Sequence, residues 1–85
     1  MHEMSMAMEI GRIAEEKLGE RSPQCVTVAV DVGDDSGVEP GSLEFCLEAV
    51  FAVPPFAGAK PAILRCAGDV LRVAYLEIDD GRPED

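Results

Sequence analysis

Cys25-Val-Thr-Val-Ala-Val-Asp-Val32 is the stretch on which the fold turns. Val26, Val28, Val30 and Val32 fall on one side of an alternating pattern, with Cys25, Thr27, Ala29 and Asp31 on the other. A period of two is that of a β-strand, and β-branched residues suit its pleated surface. The run Gly33-Asp-Asp-Ser-Gly37 that follows is a loop by composition.

Upstream of this strand, Met1 to about Gly19 reads as a helix. Met6, Ile10, Ile13 and Ala14 recur at three- and four-residue intervals, and Glu9, Arg12, Glu16 and Lys17 lie mostly elsewhere. Gly19 and Pro23 are stop signals, and Ser5 is a candidate cap. Gly11 inside the pattern costs about 1 kcal/mol relative to Ala. Downstream, Pro40 to about Val53 reads as a second helix. Pro40 fits its first turn, Leu43, Leu47, Val50 and Phe51 form its apolar stripe, and Pro54-Pro55 ends it.

Lys60 to Cys66 reads as a short strand that Pro61 pushes to a sheet edge. Ala67-Gly68-Asp69 is a turn, and Val70 to Ile78 is the last strand. Its apolar positions change phase between Val73 and Leu76, which calls for a bulge near Ala74-Tyr75 or two covered faces. The polar tail runs from Asp79 to Asp85. The order helix, strand, helix, strand, strand gives an α+β fold, with two helices on one face of a three-stranded sheet. The last two strands are expected to form a hairpin, and the first joins them across the second helix. Eighty-five residues, 1–85, are expected to make a single domain.

A net charge of −10 disfavours nucleic acid, which asks for a basic face. Acidity suits hard cations or a basic protein surface, and it also simply keeps a small domain soluble. No apolar run approaches the roughly 20 residues that cross a bilayer, and no basic-then-apolar leader opens the chain. The expectation is a soluble cytoplasmic protein with no membrane partner. Cys25, Cys46 and Cys66 form no C-x-x-C pair, so buried reduced thiols are expected rather than a zinc knuckle or a redox site. No Gly-rich phosphate loop occurs. Glu44, Glu48, Asp34, Asp35 and Asp69 lack calcium-loop spacing and read as solvated acids.

The sole histidine is His2. A triad built on a terminal residue is hard to immobilise, and one chain has no second imidazole, although a homodimer could pair two copies. Position 2 does offer something distinctive. The α-amine of Met1 and the backbone nitrogen of His2 close a five-membered chelate ring, and that nitrogen and the imidazole close a six-membered one. A deprotonated amide nitrogen favours Ni(II) or Cu(II) over Zn(II). Glu3 can add a carboxylate oxygen, directly or as a partner to the imidazole. A cation at a helix start meets an unfavourable dipole, so the binding head should lie ahead of the first regular turn or be offset by acids such as Glu3. Many termini of this kind are frayed and idle, and the residues alone leave that open. The thioethers of Met1, Met4, Met6 and Met8 suit Cu(I), but the first helix needs apolar residues and core packing is the reading adopted.

Met1-His2-Glu3-Met4-Ser5-Met6-Ala7 resembles the M-H-E-x-S-x-A opening of the HypA/HybF nickel metallochaperones. Ser36-Gly-Val-Glu-Pro-Gly-Ser-Leu-Glu-Phe-Cys-Leu-Glu-Ala-Val50 is similar to that family's S-x-V-E-x-x-S-L-x-F-x-F-x-x-V stretch, with Leu47 in place of a Phe. Gly58-Ala59-Lys60 falls where the family enters its second strand, and Leu71-Arg-Val-Ala-Tyr-Leu-Glu-Ile-Asp79 looks like its closing strand.

The resemblance implies a nickel site on Met1, His2 and Glu3, with Glu39 as an auxiliary acid, and delivery of Ni(II) for nickel–iron hydrogenase maturation. Its implied partners are a maturation GTPase or an apo-hydrogenase large subunit, and no catalysis is implied. Family members insert a zinc module with two C-x-x-C knuckles between the last two strands. Here Cys66-Ala-Gly-Asp69 fills that place, so no structural zinc is expected. That departure leaves open a degenerate interaction module of the same fold; copper handling is a further alternative.

Overall fold

The computed structural model describes residues 3–79. Helix α1 spans Glu3–Leu18, strand β1 Cys25–Gly33, helix α2 Pro40–Phe51, strand β2 Lys60–Cys66 and strand β3 Leu71–Ile78. A six-residue 3-10 helix, Gly19–Gln24, follows α1 where the sequence promised only a stop. Ser22 is buried inside it, and its hydroxyl donates to the Gly19 carbonyl at 2.9 Å.

The fold is α+β, with both helices on one face of a three-stranded sheet. Its core joins Val28, Val30 and Val32 of β1 to Ala7, Ile10 and Ala14 of α1 and to Leu43, Leu47 and Phe51 of α2. Leu43, Leu47 and Phe51 are fully buried, and each contributes about 1.5–3 kcal/mol. Phe51 also meets Phe56 edge-to-face, with ring centroids 4.8 Å apart.

The sheet order is β2-β1-β3, with β1 parallel to β2 and antiparallel to β3. The expected hairpin of the last two strands is therefore corrected, because β2 and β3 lie on opposite sides of β1. α2 is the crossover that a parallel β1–β2 pair demands. The four-residue link 67–70 steps over the end of β1, a lateral distance of about 10 Å. Gly33 sits under the step. A Cβ there would lie 2.1 Å from the Gly68 carbonyl oxygen and 2.6 Å from the Val70 nitrogen. The same crossing is tied by Gly33 N–H to Val70 O (2.7 Å), Asp34 N–H to Cys66 O (2.8 Å) and Asp35 N–H to Gly68 O (2.9 Å).

Pro61 does lie on an edge strand, where its missing N–H costs no ladder bond. The phase change in β3 is a bulge. Ala29 faces Tyr75 and Val30 faces Val73, leaving Ala74 as the extra residue. A second irregularity between Cys25 and Thr27 alters the start of β1. There Cys25 joins the core and Val26 is exposed, the reverse of what strict alternation predicts.

Gly11 is buried and faces α2, with a built Cβ only 2.7 Å from Val50 Cγ1. The residue counted as a propensity cost is the point where the two helices touch. Of the described methionines, Met6 packs against the core, while Met4 and Met8 are exposed, which corrects the reading of these side chains as core filling. Ser5 lies inside α1 and does not cap it.

Candidate metal centre

α1 begins at Glu3, an acid in the first turn, where a carboxylate complements the positive end of the helix dipole. α2 begins at Pro40, the position that tolerates a missing N–H, and is capped by Glu39. Glu39 has extended backbone angles (φ −85°, ψ 113°), and its Oε1 accepts the Ser42 N–H at 2.7 Å. Its carbonyl accepts the first helical bond, from Leu43 N–H at 3.0 Å. Val38, buried just before the cap, donates its N–H to Ser36 Oγ at 3.3 Å and anchors the loop.

The two helices run in the same sense. Glu3 meets Glu39 at one end, and Gly11 meets Val50 further along. Both N-termini therefore come together, and the Glu39 backbone N–H donates to Glu3 Oε2 at 3.3 Å. Of the four expected site residues, the structure brings these two into direct contact. Met1 and His2 lie outside the described residues.

The Glu39 carboxyl is held below the usual carboxylate range, first by the Ser42 backbone N–H, then by Gly41 and the Ser42 hydroxyl, with Arg65 adding a weaker attraction. Its Oε1 already serves α2, a capping role that the sequence did not suggest. The local signal was slight: an acid directly before a proline at the start of a helix is a capping pattern.

Among the described residues, no three His, Cys, Asp or Glu side chains come together in a group able to hold a metal. The cysteines are free: Cys25 is buried, whereas Cys46 and Cys66 are half-buried, so only one of the three meets the expectation of a buried thiol. No described helix is long and apolar enough to cross a membrane.

A family model described as hydrogenase/urease nickel incorporation, metallochaperone, hypA, matches residues 1–75. The chain belongs to the HypA family. Among curated HypA proteins, the hydrogenase maturation factor HypA of Geobacter metallireducens is 38% identical over 68 residues, covering 80% of this chain and 60% of that protein. The HypA of Chlorobaculum parvum is 40% identical over 67 residues, covering 78% of this chain and 59% of its own length. That of Albidiferax ferrireducens is 32% identical over 78 residues, covering 91% and 69%. The chain thus spans about 60% of the length of HypA relatives such as the Geobacter protein. The HypA match takes in both Glu3 and Glu39, and so both ends of the contact that joins the two helices.

Proposed function

We propose that this HypA-family chain carries Ni(II) as cargo at the start of α1 and releases it for nickel–iron hydrogenase maturation. The donors in this reading are the α-amine of Met1, the backbone nitrogen and imidazole of His2, and the Glu3 carboxylate. Two fused chelate rings hold the ion, and the amide nitrogen selects Ni(II) over Zn(II). The observation that carries the reading is the placement of Glu3. It stands in the first turn of α1, fixed against the Glu39 N–H, so a carboxylate is held one residue from His2. That carboxylate offsets the helix dipole that would otherwise repel a cation.

Delivery proceeds by ligand exchange. No bond of a substrate is made or broken, so the chain acts as a metallochaperone and not as an enzyme. The recipients are a maturation GTPase or an apo-hydrogenase large subunit, reached in the cytoplasm. Structural zinc is not part of this reading, since β2 passes to β3 through residues 67–70 with Cys66 the only thiol beside them. Glu39, whose Oε1 also caps α2, remains the auxiliary acid of this reading.

Calorimetric titration of Ni(II) into untagged protein tests the reading. The account expects His2→Ala to abolish high-affinity uptake, and equal affinity in the two forms overturns it. A parallel Cu(I) titration that outcompeted Ni(II) would transfer the site to copper.

A further inference from the structure

The order β2-β1-β3 leaves β2 and β3 as the edges of the sheet among the described residues. β2 opens with Lys60 and Pro61, a charge and a missing donor of the kind that keeps an edge from pairing further. β3 carries neither lysine nor proline over Leu71–Ile78. An apolar groove of about 270 Å³ runs beside it, lined by Leu71 and Val73 and by Met6, Ile10 and Ile13 of α1. Met6 and Ile13 stand on the flank of α1 turned away from Gly11 and α2, so the groove opens towards the free side of β3.

The residues of β3 are their own complement. From either end, Leu71-Arg-Val-Ala-Tyr-Leu-Glu-Ile78 reads apolar, charged, apolar, and the two halves meet at the bulge on Ala74. Leu71, Val73, Leu76 and Ile78 are half-buried, while Arg72 and Glu77 are exposed and opposite in charge. In a regular strand Val73 and Leu76, three places apart, would lie on opposite faces. The bulge absorbs one step and returns them to the same face, as it does Leu71 with Ile78 and Arg72 with Glu77.

We propose that β3 is a self-pairing edge, through which two copies of this chain join antiparallel about a two-fold axis at the bulge to form one continuous sheet. In that register Leu71 faces Ile78 of the second copy, Arg72 faces its Glu77 and Val73 faces its Leu76. The interface is isologous, so every contact occurs twice. Leu76 and Ile78 of the second copy enter the groove under Met6 and Ile13, which one chain alone leaves unfilled. Arg72 gives its Nε to Asp31 at 2.9 Å and keeps its terminal nitrogens for Glu77 of the second copy. Glu77 sits opposite Thr27 in its own sheet and has no ion pair among the described residues. A slip of one residue would drive charged side chains into the groove, so pattern and charge select the same register. The net charge of −10 opposes association, a long-range repulsion that about 0.15 M salt damps.

The pairing does not depend on nickel, and metal-free full-length chain tests it. Sedimentation velocity from micromolar to near-millimolar protein should show a monomer–dimer equilibrium. Glu77→Arg or Arg72→Glu should each raise the dimer dissociation constant about tenfold or more, because each sets like charges opposite one another twice. An equimolar mixture of the two variants should dimerise again, since the arginine introduced in one chain then meets the glutamate introduced in the other. Arg72→Glu also faces Asp31 of its own sheet, so the folding of both variants is checked by circular dichroism. Should it fail to fold, Glu77→Arg and the wild type decide. Wild-type chains mixed from isotope-labelled and unlabelled protein should show an intermolecular contact between the methyls of Val73 and Leu76. A chain monomeric throughout the range, folded variants that dimerise undiminished, a folded pair whose mixture stays monomeric, or a labelled sample without that contact would each overturn the proposal.

Discussion

The Glu3 carboxylate accepts the backbone N–H of Glu39 across 3.3 Å, tying the first turn of α1 to the cap of α2. The contact joins residues 36 positions apart and ties the N-terminal ends of the helix pair together. At the other end of the shared helix contact stands Gly11 against Val50. These two contacts set how the helices lie side by side.

Gly11→Ala should destabilise the fold even though alanine is the better helix former. The propensity gain is about 1 kcal/mol. Against it stands a Cβ placed 2.7 Å from Val50 Cγ1, on a β-branched side chain with little rotamer freedom. Overpacking of this kind costs about 1–3 kcal/mol, so a net loss of up to about 2 kcal/mol should appear as a lower urea midpoint. Adding Val50→Ala should recover part of the loss. A raised midpoint in the single variant would show that the helices separate without cost.

Gly33→Ala should be the more damaging change. Its Cβ would strike backbone atoms of the link, 2.1 Å from Gly68 O, and backbone cannot rotate away as a side chain can. The expectation is a loss of more than about 3 kcal/mol, read by chemical or thermal unfolding. A variant within 0.5 kcal/mol (about the scatter of neutral surface changes) would contradict the crossing geometry.

The three thiols should differ in reactivity. Burial pushes the Cys25 thiol up from its ordinary value, and the thiol points to the Thr27 carbonyl at 3.5 Å. Cys46 and Cys66 are half-buried and should be alkylated first, with Cys25 modified only on unfolding. The sign for stability follows from the same shift. A raised folded value favours the protonated thiol, so this contribution is fully present below the unfolded thiol value of about 8.5 and is lost as pH rises through the folded value. Cys25→Ala should flatten that alkaline decline; an unchanged decline would assign it to another group.

Nickel uptake should weaken as pH falls through about 6–7, because the imidazole and the terminal amine must give up protons to bind. Titrations at fixed ionic strength between pH 5.5 and 8, chosen to bracket about one unit either side of an imidazole, check this. A flat profile would argue against a nitrogen donor set.

The two helices, three strands and their order were legible in the sequence because amphipathic periods of 3.6 and 2 are local signals. The pairing of β2 with β1 was not. Four residues between Cys66 and Leu71 look like a hairpin turn, and nothing local reveals that they cross above Gly33. The burial of Cys25 in place of Val26 escaped for a related reason, since a bulge is set by pairing with β3 and not by the strand itself. At the candidate site, Glu3 and Glu39 could be singled out by their resemblance to the HypA pattern. The cap and the bond between them could not, because they depend on how α1 and α2 meet.

The most direct measurement is Ni(II) titration of the chain with two or three residues added ahead of Met1, compared with the unextended form. The account predicts that the extension removes the α-amine from the donor set and abolishes tight binding, with α1 and the Glu3–Glu39 contact left intact. Undiminished affinity in the extended chain would contradict it and place the nickel elsewhere.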